Sequence, residues 1–524
     1  MPLLTRSFPD DIHSPRPHDF SAAVRRAALC VLLTTSLPLF ATTLEVPGAF
    51  STIQSAIDAA ADGDRIEVGP GTYLETINFA GKDITVIAAA GPFSTFIDAE
   101  QSGVVATFES GESSEAILEG FTLTNGQSGF LFTGNGGGLS IVGSSPTIRG
   151  NRIVGNITSW AGAGAYVQNG SPRFEGNHFE NGTFFCLISD APCGEGGGIF
   201  VENGTVTIEN NTFVGNIAPS QGGAIFAGVD ANVLITHNQF FENTGGSGGA
   251  VLCAPGSTVT SVNNLFVGNV AQGYYTLLGQ VDGTAGAVWV QSGASATFRN
   301  DTVTENEASG FNGVASGGGV RLDSDTATIT QCIFWNNVSP IASQISAVPG
   351  VEVVFSSVEG GFPGFANIDA DPLFVSGSLG DFYLSQIAAG DPAQSPAVDA
   401  GDPALPIISG STRTDHAPDT GVVDLGFHFG ASSFGFRRGD INEDGNRDIG
   451  DAVFALAALF QIGAPQPNCE DAMDVNDDSN IDVGDPVFLL TSLFQPGSDP
   501  VPPPVNCGSD PSADTLSCTD PECP

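Results

Sequence analysis

The sequence predicts an all-β right-handed parallel β-helix of three-strand coils, with a capping helix before it and a small α-helical domain after it. Three observations predict this. Between about 120 and 340 one unit recurs, in which a small-residue step precedes an apolar residue: GGGL at 136, GGGI at 196, GGAI at 222, GGAV at 248, AGAV at 285 and GGGV at 317. Each unit closes on an apolar or aromatic residue three before an asparagine, as in FVGN at 213, FFEN at 240, FVGN at 266 and FWNN at 334. The tail then carries two copies of one acidic loop, 34 residues apart, each running into an apolar helical stretch.

These signals divide the chain into residues 1–41, 42–120, 121–358, 359–430, 438–495 and a Pro/Cys-rich tail at 496–524. The first segment places Arg25 and Arg26 before AALCVLLTTSLPLFA, a charged region followed by a short apolar run. That order reads as an export signal cut near Ala41, and the run is too short to span a bilayer. The expected location is therefore outside the cell or on its surface. Next, STIQSAIDAAADGDRIEVGPGTY at 51–73 gives an amphipathic helix, a strand and a turn. A helix at that point blocks edge-to-edge association of the first coil.

The shortest repeat spacing is 26 residues, divided into short β-rich runs by Gly, Asn and Asp. No single coil of that length buries its own apolar face, so stacked coils must share one core. Ile199, Ile225, Val251, Val288 and Val320 are expected to form one inward ladder. Asn156, Asn216, Asn243, Asn269, Asn306 and Asn337 recur at one turn, and Asn151, Asn177, Asn211, Asn238 and Asn264 at another. Asparagine tolerates left-handed backbone and its amide can bond to the same amide one coil away, so these are read as structural ladders. The paired motifs resemble pectate-lyase-like β-helices and the repeats of bacterial polymorphic surface proteins. The segment at 51–73 is similar to the cap of many secreted β-helix proteins. The far end, ADPLFVSGSLGDFYL to TRTDHAPDTGVVDLGFHF, resembles the terminal segment of bacterial surface β-helix proteins. Its Asp399, Asp402, Asp415, Asp419 and Asp424 are read as turn formers, with a further Ca²⁺ site as the alternative.

Because the strands are committed to the core, function is sought where coil length varies. Between the closing asparagine and the next small-residue step lie 10 residues after Asn125, 5 after Asn156, 14 after Asn181, 5 after Asn216, 4 after Asn243, 15 after Asn269 and 10 after Asn306. The long loops 182–195 and 270–284 should stand as walls three coils apart, roughly 14 Å at about 4.8 Å per coil. They carry Phe184, Phe185, Tyr274 and Tyr275, rings on which sugars stack. Carboxylates are present too: Asp190, Glu195 and Asp282 in these loops, and Glu305 and Glu307 on the next coil. Glycoside hydrolysis needs two carboxyls about 5 to 9.5 Å apart, and Asp282 and Glu307, on consecutive coils, are the candidate pair. Polygalacturonase hallmarks are absent, and Arg149, Arg173, Arg299 and Arg321 show no lyase-like cluster.

The acidic loops are DINEDGNRDIGD at 440–451 and DVNDDSNIDVGD at 474–485. Oxygen side chains at loop positions 1, 3, 5, 9 and 12 let a tight loop wrap one Ca²⁺. They are Asp440, Asn442, Asp444, Asp448 and Asp451, then Asp474, Asn476, Asp478, Asp482 and Asp485, with the carbonyls of Asn446 and Asn480 at position 7. The module resembles dockerin type I of secreted bacterial polysaccharide-degrading systems. That resemblance implies two F-hand Ca²⁺ sites about a pseudo-twofold axis, and docking onto a cohesin partner through the loop-to-helix surface. Ser479 replaces the turn glycine that Gly445 keeps, and Pro486 opens the second helix. Where the family commonly carries hydroxylic residues facing cohesin, this chain has Ile449–Gly450 and Val483–Gly484.

Composition fits an exported protein. The formal net charge is −43, from 15 Lys+Arg against 58 Asp+Glu. Such a surface repels nucleic acid and anionic membranes. Export permits disulfides: Cys186 and Cys193 flank a short loop and are expected to pair, while Cys469, Cys507, Cys518 and Cys523 allow three pairings. Cys253 and Cys332 are read as buried free thiols. Two functions follow. The preferred one is a secreted or surface-attached Ca²⁺-binding β-helix that binds polysaccharide or another surface and is attached through its tail. The other is a polysaccharide hydrolase or lyase carrying the same module.

Overall fold

A computed structural model describes residues 41–129, 135–185, 194–276, 279–377, 379–430, 437–442, 447–461, 467, 469–478, 480–495 and 501–502, the side chains of 274–276 apart. The expected export signal at 1–40 lies outside the described residues, as do Asp190, Asp444, Asn446 and Ser479. The expected cysteine pairings also involve residues outside them. Cys253 and Cys332 are free and buried.

Three long parallel sheets form the rod. Sheet A has 12 strands from Thr43–Val46 to Glu352–Val354, sheet B 11 from Gly71–Leu74 to Ser357–Val358, and sheet C 10 from Ile77–Asn78 to Ile345–Ala347. One coil shows the path. Ile199–Val201 lies in sheet C, Gly204–Glu209 in A and Thr212–Val214 in B, and Ile217–Gln221 makes a short fourth side before the chain re-enters C at Ile225. Ile199 pairs with Ile225, that with Val251, then Val288 and Val320, all buried, so the inward ladder is as expected.

The FxxN motif has two jobs. Its aromatic faces inward from sheet B, where Phe179, Phe213, Phe240 and Phe266 stack with centroids 4.8, 4.9 and 4.6 Å apart. Its asparagine occupies the next turn. Asn216 Nδ2 donates to Asn243 Oδ1 at 3.0 Å, and the chain of bonds continues through Asn269, Asn306 and Asn337 at 2.9 Å each. Gln344 Oε1 closes this ladder by accepting from Asn337 at 2.6 Å. The GGA step follows from close approach: a Cβ at Gly249 would lie 2.0 Å from the carbonyl oxygen of Gly286 in the next coil.

The second ladder runs from Asn151 through Asn177, Asn211, Asn238 and Asn264. It then changes chemistry. Asp301 takes the next rung, accepting from Asn264 N at 2.7 Å and Nδ2 at 3.1 Å, and is followed by Cys332 Sγ and Ser356 Oγ.

At the front, helix α1 (Ile53–Ala59) buries Ile53, Ala56 and Ile57. Glu75 accepts the N–H groups of Ile53 and Gln54 at 2.8 and 2.9 Å, while Lys82 donates to the carbonyls of Ile57, Asp58 and Ala60. The sole lysine thus sits at the negative end of the helix dipole and a carboxylate at the positive end.

The segment after 370 does not continue the coils. It forms the hairpin Phe374–Gly377 with Gly380–Leu384 and returns along the outside of the rod. Gly426 N donates to Gln331 O, Asn300 Nδ2 to Asp424 O, and Asn263 Nδ2 to His428 O. Tyr383, Phe427 and Phe429 cover Leu265 on sheet B, and Leu384, Ala397 and Leu425 cover Ile333. The terminal module contains α2 (Ile449–Phe460), α3 (Glu470–Met473) and α4 (Gly484–Phe494). Ile441 and Val475 at matching loop positions enter its small core with Ala455 and Leu489.

Asp301 generates a pH prediction. Burial pushes its carboxyl up to about 7, against about 3.9 in an unfolded chain. The unfolded state therefore sheds the proton first, and stability falls as pH rises between those values. Asp301→Asn, which restores the ladder's residue type, should be more stable than the parent at pH 8 by a few kcal/mol in order of magnitude. The gap should shrink at pH 4; melting curves at both pH values with a constant gap contradict this account.

Candidate functional site

The short fourth side of the coils carries every long loop. It comprises a three-stranded sheet of Gln127–Ser128, Ile157–Thr158 and Thr183–Phe184, then a four-stranded sheet of Ile217–Gln221, Thr244–Ser247, Val270–Ala271 and Glu307–Ala308. All strands are parallel and in coil order, so 183 and 270 stand three coil steps apart with 217 and 244 between them. Loop 270–284 rises as an antiparallel hairpin, Tyr274–Thr276 against Gly279–Val281. The side chains of Tyr274 and Tyr275 lie outside the described residues.

Phe184 and Phe185 have different surroundings. A Cβ built on Gly194 would meet the Phe184 ring at 2.6 Å and Pro219 Cδ at 2.8 Å, so Phe184 packs within its own loop edge. Phe185 is 47% exposed, its N–H bonded to Thr158 O.

The carboxylates also separate. Asp282 Oδ1 accepts Asn312 N at 2.7 Å and Oδ2 accepts Asn312 Nδ2 at 3.0 Å, stapling the hairpin base to the next loop. The Asn312 N–H holds Asp282 below the usual carboxylate range. Glu307 is exposed and pairs through its backbone with Val270 and Val338. Glu195 is a carboxylate that sequence reading names but leaves out of the candidate pair. It bridges Ala161 and Gln221 in the row beneath the loops, and burial pushes its carboxyl above the ordinary range. Its sequence signal was weak, since only the fold shows that the residue before a GGG step is sheltered.

In the module the two loops make matching bonds. Asp451 Oδ1 accepts from Ile441 N and Asn442 N, and Oδ2 from Asp448 N. Asp485 repeats this with Val475, Asn476 and Asp482. Asp448 and Asp482 each accept from the glycine two residues on, at 2.6 Å. Asp440, Asp451, Asp474 and Asp485 are all buried. Burial pushes the Asp485 carboxyl up to about 6, and the Asp474 carboxylate adds to the shift. Among the described residues no three His, Cys, Asp or Glu side chains form a ready metal cluster. A loop of this kind also uses carboxamide and carbonyl oxygens, here Asn476 and Asn480. Two sheltered like charges in one loop are the arrangement a divalent cation relieves.

The aspartates of the returning segment have internal partners. Asp424 accepts from Asp399 N, Gln386 Nε2 and the Thr412 hydroxyl. Asp419 accepts from Asp424 N and faces His428 Nε2 at 3.1 Å, Asp415 pairs with Arg413, and Asp402 caps its own turn.

With this geometry in place, comparison with known proteins supplies the class. The family described as "Right handed beta helix region" matches residues 94–281. With the stacked parallel sheets, this makes the rod a right-handed parallel β-helix. No curated protein matches the chain. Similar solved structures include ORF18 of Geobacillus virus E2, at 13% identity and TM-score 0.37 over 62% of each chain. The PL6 family alginate lyase AlyGC is 13% identical with TM-score 0.31, over 71% of this chain and 60% of that one. Pectate lyase Pel9A is 17% identical with TM-score 0.32, over 74% and 95%. The chain thus spans less than two thirds of the viral protein and of the alginate lyase. No helix among the described residues is long and apolar enough to cross a membrane.

The contrast between neighbouring rings is measurable. Phe184→Ala should cost about 1–2 kcal/mol, a fraction of the ~3–5 kcal/mol for a fully buried ring. Phe185→Ala should stay within about 0.5 kcal/mol of the parent. Chemical denaturation that gives equal losses for both would contradict the packing described.

Proposed function

We propose that the protein is a secreted or surface-displayed Ca²⁺-binding β-helix that holds polysaccharide along its loop edge and is attached through its C-terminal module. The observation that carries this reading is the matched pair of acidic loops. Four carboxylates, Asp440, Asp451, Asp474 and Asp485, are sheltered in a domain with a very small core. Burying carboxylates is expensive unless the charge is compensated, and Ca²⁺ coordination supplies that compensation through folding. The donor set would be the loop oxygens already named, two sites in all.

Attachment has a surface to work with. Ile449, Val453 and Phe460 on α2, and Val483, Val487 and Phe494 on α4, are exposed apolar residues at the same offset in both repeats. A cohesin-like or other surface protein with an apolar face is the partner proposed for it. Polysaccharide would lie across the short coils at 217 and 244, against Phe185, Tyr274 and Tyr275.

The enzymatic reading has one observation in its favour, the raised carboxyl of Glu195 on the same edge. A carboxyl that burial shifts toward its protonated form is better suited to a general acid than an ordinary one. Asp282, held ionised by Asn312, does not suit that role. Incubating the chain with a glycan panel in Ca²⁺, and scoring both retention and new reducing or unsaturated ends, separates the readings. Retention without product supports the binding protein. Product that disappears in Glu195→Gln supports the hydrolase.

For the metal, calorimetry on a fragment from Gly439 to Pro524 should give two Ca²⁺ sites, with helical signal rising on addition. The second site should be the weaker, because Ser479 stands where the first loop has Gly445, and glycine is the residue a tight loop turn favours. Identical far-UV spectra with and without Ca²⁺, and no heat of binding, would remove the calcium reading.

A further inference from the structure

A cleft of about 530 Å³ opens where the returning hairpin meets the corner of the last coils, lined by Glu305, Trp335, Asn336, Asp371, Leu373, Phe374, Asp381 and Phe382. Its volume falls within the range of small-ligand sites, roughly 300–1,000 Å³. The walls come from separate segments. Glu305 and Asn336 sit at equivalent corners of successive coils, both with left-handed backbone, φ 59° and 55°. Leu373 also has positive φ, 52°, in a turn that Asp371 Oδ1 holds by accepting Leu373 N at 2.9 Å. Phe374 and Phe382 face each other across the hairpin at 5.4 Å in an edge-to-face pair, and Trp335 closes the rod side.

The chemistry of this lining is specific. Three aromatic rings form apolar walls and three carboxylates form the rim, with no Lys or Arg among them. Glu305, Asp371 and Asp381 make no ion pair among the described residues. Such a cleft repels a uronate or a phosphate. It favours a ligand with an apolar ring face and a positive charge, which draws on ring stacking, cation–π attraction and carboxylate bonds together.

We propose that this cleft binds a cationic amino sugar, one or two units of a polysaccharide carrying free amines. The inference extends the polysaccharide-binding reading to a second place on the rod and names the class of sugar there. It stands apart from the loop edge, because no residue is shared with loops 182–195 or 270–284.

The test is calorimetric titration of the full chain, in Ca²⁺ and 0.15 M salt, with a glucosamine tetramer and its fully N-acetylated counterpart. The free-amine oligomer should bind at least tenfold tighter than the acetylated one. Glu305→Gln with Asp381→Asn should lower that affinity at least tenfold while leaving the melting temperature unchanged, since both side chains are exposed. General attraction of cations to so acidic a chain is controlled by Glu100→Gln with Glu115→Gln, exposed in the first coils, which should bind as the parent does. Equal affinity for both oligomers overturns the proposal, as does no binding of the free amine or parent-like binding by the cleft double variant. Failure of the loop-edge reading is seen separately, as binding of a neutral glycan to the cleft double variant that survives the further changes Tyr274→Ala and Tyr275→Ala.

Discussion

The rod depends on one constraint: every buried polar group at a coil corner must find its partner one coil away. The strands meet this through backbone ladders, but the corners turn too sharply to do so. Asparagine supplies the missing bonds. In the ladder from Asn216 to Asn337 each Oδ1 from Asn243 onward accepts both the N–H and the Nδ2 of the preceding asparagine, while Nδ2 also reaches a carbonyl, as from Asn243 to Phe213 O. Unpaired, each such group would cost about 1–3 kcal/mol. A satisfied ladder fixes the axial register, and with it the stacking of Phe213, Phe240 and Phe266 three residues earlier.

This explains what the sequence made legible. A rule repeated every coil leaves a period, so the inward ladder, both asparagine rows and the common edge of the long loops could be read from spacing, while the helix at 53–59 was read from its amphipathic pattern. Asp301 was within reach of the same logic, because Asn300–Asp301 occupies the register of Asn263–Asn264. It escaped because the row was followed by residue type and not by position. The returning segment was not legible for a different reason. Its contacts join Asn263 to His428 and Asn300 to Asp424, separations of 165 and 124 residues, and no local pattern encodes them. The cleft at Trp335 shares that origin, since its walls come from two coil corners and a hairpin folded back upon them.

Charge is handled differently in the two parts of the molecule. Along the rod the few arginines pair with glutamates, mostly on neighbouring coils: Arg149 with Glu119 at 2.7 Å, Arg152 with Glu180 at 3.1 Å and Arg173 with Glu209 at 2.7 Å. Exposed pairs of this kind contribute about 0–1 kcal/mol each, so they trim repulsion without deciding stability. The remaining carboxylates of the rod are spread over a long surface and hydrated. In the terminal module there is no such dilution. Buried Arg438 pairs there with Asp477 at 2.9 Å, yet Asp474 and Asp485 lie within one loop, out of contact with water, and the Asp474 carboxylate raises the cost of ionising Asp485.

Two consequences for function follow from that difference. The rod's buried polar rows are chiefly amides bonded to amides, with Asp301 the acidic exception. On the proposed reading, binding therefore falls at the edges where coil length varies and at the corner where the returning segment builds new walls. The module is the opposite case. Its small core of Ile441, Ala455, Val475 and Leu489 shelters carboxylates that hold the loops together by accepting backbone N–H groups, and its exposed apolar residues lie on the helices that follow those loops. Under the function proposed above, calcium would act on the module and its attachment, while the rod would select its ligand through geometry already present in its coils.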